Sequence, residues 1–163
     1  MLTKTSEIAV QTLIILSRRN DITPVSPREL AAHLKASPTY MAKVTGLLVK
    51  ANLLLAHRGV HGGVSLSRPT SQITLLEVVE ACQGRILGDY CQDGASSKVV
   101  CAFHAAMLEL HQAIIGTLGR WTVEDIEKKT LPSPPLRGLV RCKMSCIDSG
   151  APVQHKKKEP VKP

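Results

Sequence analysis

A chain of 163 residues has room for one domain and an appendage around a core of modest size. Hydrophobic residues make up 44%, which excludes a disordered chain, and one Trp, one Phe and two Tyr are too few for an aromatic platform that stacks single-stranded bases. The net charge of +8 favours a polyanionic partner; no basic amphipathic helix carries the bulky aromatics of a membrane-surface helix, and no stretch approaches transmembrane length.

In chain order, Thr5 to Arg19 predicts an amphipathic helix with Ile8, Val10, Leu13, Ile14 and Leu16 on its buried face and Glu7 in the first turn. The apolar run Ile8 to Leu16 is broken by Gln11 and Thr12, so no secretory signal is expected there. The five cysteines then point to thiols or metal ligands, and an odd number cannot all pair within the chain. Asn20 to Pro24 reads as a loop.

Ser26 is a natural N-cap, Pro27 suits the first helical turn and Glu29 stands three residues after the cap, the pattern of a capping box. Ser37-Pro38 repeats the start signal, and two helices across so tight a turn read as a helix-turn-helix. The second is expected to bury Val44, Leu47, Leu48 and Ala51 and to end at Asn52 in the left-handed cap conformation. Leu53 to His57 is strand-like, Arg58 to Gly63 is a glycine-rich turn, and Val64-Ser65-Leu66 alternates as a return strand. The fold class is therefore mainly α: a winged helix-turn-helix with a small two-stranded wing.

Thr74 to Glu77 is another capping box, opening a short helix that Gly84 closes. A polar loop holding Cys91 follows. Ser97 is the expected N-cap of a long helix, Lys98 to Leu118, with Gly119 as its stop. Val99, Phe103, Met107, Leu110, Ile114 and Leu118 form one apolar seam on it, expected to serve a homodimer because a small winged domain cannot cover it all. Thr122 to Lys129 reads as a last short helix. From Leu131 the prolines and the basic run at His155 to Lys158 read as a disordered basic tail. The expected domain plan is 1–83 for the DNA-binding domain, 84–97 for a sensor loop, 98–130 for the dimerisation and final helices, and 131–163 for the tail.

The residue types on the motif suggest duplex DNA as the polyanion. Ser37, Thr39, Tyr40 and Lys43 lie on the N-terminal half of the second motif helix, where side chains reach base edges and phosphates. Arg28 is an expected phosphate contact, and Arg58 and His61 on the wing are placed for phosphates or the adjacent minor groove. The competing readings are a winged fold used only for protein contacts and, for each charged residue, a solvated surface side chain. An enzyme is not expected: a thiol oxidoreductase using Cys91 and Cys101 lacks a Cys-x-x-Cys motif on a strand-to-helix turn.

Several separated motifs make the chain resemble the Rrf-two family of bacterial winged-helix transcriptional regulators. They are Leu2-Thr3-Lys4-Thr5-Ser6-Glu7-Ile8-Ala9, Glu29-Leu30-Ala31, Ser37-Pro38-Thr39-Tyr40-Met41-Ala42-Lys43, Leu53, Arg58-Gly59, Gly62-Gly63-Val64-Ser65-Leu66, Arg68-Pro69 and Ile73-Thr74-Leu75-Leu76-Glu77-Val78-Val79-Glu80-Ala81. The resemblance covers residues 1–130. It implies a cytoplasmic, homodimeric, DNA-binding regulator with crossed long helices. In the family's sensors, an iron–sulfur cluster sits between the short helix and the dimer helix, held by three cysteines, often with a histidine after the last. Here Cys91 matches the first cysteine, Cys101 the last and His104 the histidine, while Gln92 to Val100 contains no middle cysteine. Glu7 matches a first-helix carboxylate that some relatives supply as a fourth ligand, and Cys82 is the other candidate. A two-iron or four-iron cluster, a redox pair of thiols and an empty vestige all remain open. Cys82 also shares a face with Leu75, Val78 and Val79, where a free cysteine behaves as a small hydrophobe. Cys142 and Cys146 fall outside the resemblance and are read as free or redox-labile thiols.

Overall fold

The computed structural model describes residues 2–19, 23–59, 62–86 and 101–128. The order is α1 (Lys4–Ser17), α2 (Pro27–Leu34), α3 (Pro38–Lys50), β1 (Leu54–His57), β2 (Gly63–Leu66), a 3-10 turn (Thr70–Gln72), α4 (Leu75–Gln83), α5 (Ala102–Arg120) and α6 (Val123–Lys128). The expected winged helix-turn-helix is the fold.

Each helix starts where a short polar side chain satisfies an orphan N–H. Thr3 accepts from Ser6, Ser26 from Glu29 and Ser37 from Tyr40. At α4 the expected box is complete: Thr74 accepts from the Glu77 N–H, and the Glu77 carboxylate accepts from the Thr74 N–H at 2.9 Å. At α2, Glu29 instead directs its carboxylate to Arg19, 2.9 Å away, tying α1 to α2. A long-range partner has won over the local one.

The turn between α2 and α3 is closed by Lys35 in the left-handed region (φ 51), with the Ala36 N–H bonded to the Ala31 carbonyl at 3.0 Å. Asn52 takes the expected left-handed conformation (φ 57), and the Leu53 N–H reaches back to the Leu48 carbonyl at 2.9 Å. This reversal sends the chain directly into the wing.

The wing is an antiparallel pair with Leu54 opposite Leu66 and His57 opposite Gly63. The inward face carries Leu54 and Val64, both buried, so the hairpin is anchored through one face as a period of two requires. Val25 adds a bridge on the far edge of β2, exchanging two 2.9 Å backbone hydrogen bonds with Val64. That approach explains Gly63, since an added Cβ would stand 2.5 Å from the Val25 carbonyl.

The core gathers around α1. Leu13, Ile14, Leu30, Val44, Leu48 and Ile73 are fully enclosed. On α3 the buried stripe is Met41, Val44, Thr45 and Leu48, a correction to the expected one: Leu47 is only half-buried and Ala51 is exposed. Thr45 can enter the core because its hydroxyl donates to the Met41 carbonyl at 2.9 Å.

Two further boundaries move. α5 begins at Ala102 with Cys101 as its N-cap, where Ser97 was expected, and runs through Gly119 to Arg120. Residues 87–100, with Ser97, Val99 and most of the expected sensor loop, lie outside the described residues, as does the tail from 131 on. The end of α5 is fixed by backbone bonds, from the Leu75 N–H to the Trp121 carbonyl at 2.8 Å and from the Val123 N–H to the Ile73 carbonyl at 2.9 Å. α6 is then clipped to α1, because the Glu127 carboxylate accepts from Ser17 at 2.8 Å and from Arg18 at 3.1 Å.

α5 buries no residue at all. From Phe103 on, the expected seam keeps to one side of the helix but is unevenly covered. Met107, Ile114 and Leu118 are half-buried, whereas Phe103 (64% exposed) and Leu110 (51%) point to solvent.

Candidate nucleic-acid interface

The solvent face of α3 presents Thr39, Ala42, Lys43, Gly46 and Lys50, all exposed. Thr39 and Lys43 stand where the sequence placed them, at the N-terminal half of the helix. Tyr40 does not share that face: it is half-buried, packs on the core, and its hydroxyl shares a 3.0 Å hydrogen bond with Thr5 Oγ1. It braces α3 against α1. The Ser37 hydroxyl is occupied as the cap of α3, 3.2 Å from the Tyr40 nitrogen. Arg28 is exposed in the first turn of α2, and Arg58 is exposed at the wing turn. His61 lies outside the described residues.

Lys50 and Lys35 join this surface without having been singled out from the sequence. The signal for Lys50 was its spacing from Thr39, Lys43 and Gly46 in steps of three and four, one stripe of a helix. Lys35 escaped notice because its prominence depends on the left-handed turn. Arg68, by contrast, is a clamp: it donates to the Asn52 carbonyl at 3.1 Å, to the Gln72 carbonyl at 3.2 Å and to Glu77 at 2.6 Å.

The electrostatics follow from composition along the chain. Between Glu29 and Glu77 the sequence contains no Asp or Glu. No carboxylate among the described residues pairs with Arg28, Lys35, Lys43, Lys50 or Arg58, so their charges face outward uncompensated. Such a surface attracts phosphates with a strong dependence on salt.

Between α3 and the wing runs an open groove of about 410 Å³, lined by Pro27, Ala42, Thr45, Gly46, Val49, Ala56, His57, Gly59, Gly62, Gly63 and Val64. On the outer face of the wing the His57 ring nitrogen and the Ser65 hydroxyl are 2.8 Å apart, holding the imidazole across the hairpin.

The cysteine positions lie at the other end of the molecule's chain of elements. Cys101 is exposed and its sulfur accepts the His104 N–H at 3.4 Å, so thiol and imidazole share the head of α5. Cys82 is half-buried near the C-terminus of α4, beside the core. Burial pushes its thiol pKa up, and a hydrogen bond with Ser6 opposes that in part. Glu7 accepts from Lys4 at 3.3 Å. Cys91 lies outside the described residues. Among the described residues no three His, Cys, Asp or Glu side chains come together to hold a metal ion, so Glu7 and Cys82 are not assembled with Cys101 and His104. Among the described residues, no helix is long and apolar enough to cross a membrane.

A helix-turn-helix with a basic second helix, a glycine-rich wing and an outward cationic surface defines the winged-helix class of DNA-binding regulators. The comparisons with known proteins agree. The family described as Rrf2, iron-dependent transcriptional regulator, matches residues 2–129, and the chain belongs to that family. It is 28% identical over 132 residues to the HTH-type transcriptional regulator YffB of Lactococcus lactis, covering 76% of this chain and 85% of that protein. It is 24% identical over 142 residues to the HTH-type transcriptional regulator NsrR of Oceanobacillus iheyensis, covering 85% of this chain and 97% of that one. Its fold is similar to that of CymR, the global cysteine regulator of B. subtilis, with a TM-score of 0.66 and 20% identity across 80% of this chain and 98% of that one. The chain is thus a transcriptional regulator and not an enzyme.

Proposed function

We propose that the chain acts in the cytoplasm as a homodimer that binds operator DNA through α3 and the wing. The observation that carries this is the exposed stripe of Thr39, Lys43 and Lys50 on α3, with Arg28 and Arg58 flanking it, in a stretch of chain from Leu30 to Leu76 that contains no carboxylate. In this reading α3 enters the major groove. Thr39 and Lys43 read or position it, with Ser37 and Tyr40 setting the helix. Arg58 and His61 reach phosphates or the adjacent minor groove. The apolar face of α5 around Phe103 and Leu110 supports a two-fold dimer, and two-fold symmetry implies a pseudo-palindromic operator with half-sites spaced by whole helical turns.

The sensing reading is an iron–sulfur cluster held by Cys91, Cys101 and His104, reporting redox, iron–sulfur status or nitric oxide, with Glu7 and Cys82 as completing ligands. Thiolate and imidazole are donors such clusters accept, and the family description is iron-dependent. The described donors do not by themselves make a full set, because only Cys101 and His104 share the head of α5. The missing middle cysteine between Gln92 and Val100 supports a second reading: the same DNA reader responding through oxidation of Cys91 and Cys101 or through a small effector.

The test is a titration of wild type and Lys43→Ala against a duplex selected from a random pool, at several salt concentrations. The substitution is expected to weaken binding to all sequences and to lower the slope of log K against log salt by about one. An unchanged slope removes Lys43 from phosphate contact, and no binding by wild type overturns the DNA reading. Iron and sulfide assays on protein purified without oxygen separate the two sensing readings. Matched iron and sulfide support the cluster, and a chain that stays colourless after reconstitution supports thiol chemistry.

A further inference from the structure

Four glycines line the groove between α3 and the wing, and three are explained by the fold itself. Gly59 stands at φ +109, where a side chain would be strained. A Cβ at Gly62 would lie 2.5 Å from the His57 carbonyl oxygen, and one at Gly63 would lie 2.5 Å from the Val25 carbonyl. Gly46 has no such reason. It sits in the interior of α3, its dihedral angles are helical, and an added Cβ would meet nothing within 4 Å. Glycine is among the poorest residues for a helix interior. The protein's own packing gives nothing in return, so the clearance serves something outside the chain.

The shape and charge of the groove select that occupant. It is open along its length and lined mostly by small apolar residues, with Thr45 and His57 as the polar exceptions, so it does not enclose a small molecule as a ligand pocket does. Lys43 and Lys50 flank Gly46 on the same stripe of α3, Arg58 follows His57 at the wing, and no carboxylate occurs between Glu29 and Glu77. An extended anion with an apolar edge fits, and the deoxyribose–phosphate backbone of duplex DNA is such an object.

In the groove between α3 and the wing, where the DNA-binding reading already seats one strand of the duplex, the geometry points to Gly46 as the clearance position that lets the α3 backbone close on that strand. This rests on the DNA-binding reading above and deepens it. The solvent face of α3 offers few base-reading side chains, because Ala42 ends in a methyl group, Gly46 has no side chain and the Tyr40 hydroxyl is engaged with Thr5. Close approach of the backbone, and the shape of the duplex that permits it, then carry a large share of recognition.

The experiment compares wild type, Gly46→Ala and Gly46→Leu as full chains. The DNA is a duplex of about 30 base pairs, long enough for two half-sites, selected by wild type from a random pool. Stability and binding are expected to move in opposite directions. Gly46→Ala should raise Tm by about 3 °C, because it improves the helix without meeting a neighbour. The same change should weaken binding about tenfold, and Gly46→Leu more than that. If both variants bind as wild type does while Lys43→Ala still lowers the salt slope, the groove assignment is overturned and the DNA reading stands. A wild type that binds no duplex overturns both. Should Gly46→Leu fail to fold, Gly46→Ala decides alone.

Discussion

α1 and α5 are both long, similarly apolar helices, and they meet opposite fates. α1 buries Ile8, Ala9, Leu13, Ile14 and Leu16 and touches α2, α3, α4 and α6. α5 buries nothing, leaving Phe103, Leu108 and Leu110 in solvent. Composition alone cannot tell a core helix from an interface helix; the difference lies in how much of the domain is available to surround each one. α1 is the first element, and every later piece of the winged domain can fold back over it. α5 follows the winged domain in the chain, and the core of that domain is already filled by α1 and its neighbours. It rests on α4 through one flank, and its last residues are pinned at Trp121 and Val123. Its other flank has no partner among the described residues. Exposed apolar side chains of that kind are what the proposed dimer would cover.

The comparison is sharpest when the same kind of truncation is made on each helix. Leu13→Ala removes a fully enclosed side chain at the hub, and the expected loss is about 2–5 kcal/mol. Urea unfolding should show a lower midpoint with an unchanged m-value. A loss under about 1 kcal/mol would mean that α1 is not the centre of the core. On α5 the informative change is Leu110→Asp. A residue 51% exposed in one chain has little to lose on its own, so the stability of the isolated chain should shift by no more than about 0.5 kcal/mol. The oligomeric state should change instead: wild type sedimenting as a dimer, Leu110→Asp as a monomer. A monomeric wild type would sink the homodimer, and α5 would then need another partner.

Much of this was legible in the sequence, and the reasons are local ones. Thr3, Ser26, Ser37 and Thr74 cap their helices because capping depends on residues only three apart. The wing was legible because Gly59, Gly62 and Gly63 occupy positions that exclude other residues. What escaped depended on distant partners. Glu29 pairs with Arg19 rather than completing its own cap, and Glu127 reaches α1 from the far end of the chain. Thr45 entered the core in place of Leu47 because an intrahelical carbonyl satisfies its hydroxyl, which no apolar pattern reveals. At the proposed interface, Thr39, Lys43, Arg28 and Arg58 are exposed, while Tyr40 turned inward to Thr5, a contact between helices that periodicity does not encode. At the cysteine end only the Cys101 and His104 spacing could be read, since it lies within one helical turn; the positions of Glu7 and Cys82 depended on how α1 and α4 pack.

The smallest effect separates the two described cysteines, one on each side of the same comparison. Cys82 belongs to the enclosed domain: it is half-buried, and desolvation raises its thiol above the ordinary value of 9.0 against the lesser opposing hydrogen bond of Ser6. Cys101 stands exposed at the head of α5. The thiolate is the reactive form, so iodoacetamide at neutral pH should label Cys101 about tenfold faster than Cys82, read by peptide mapping. The sign of the pH dependence follows from the same shift. The unfolded Cys82 thiol ionises first as pH climbs past its ordinary value, while the folded one resists. Its contribution to stability is therefore whole below that value and is lost as pH rises toward the folded pKa. Cys82→Ala should flatten this alkaline decline. Equal labelling of the two cysteines would mean that Cys82 is not held in the core, and would return it to the set of accessible thiols from which a metal or redox site could be built.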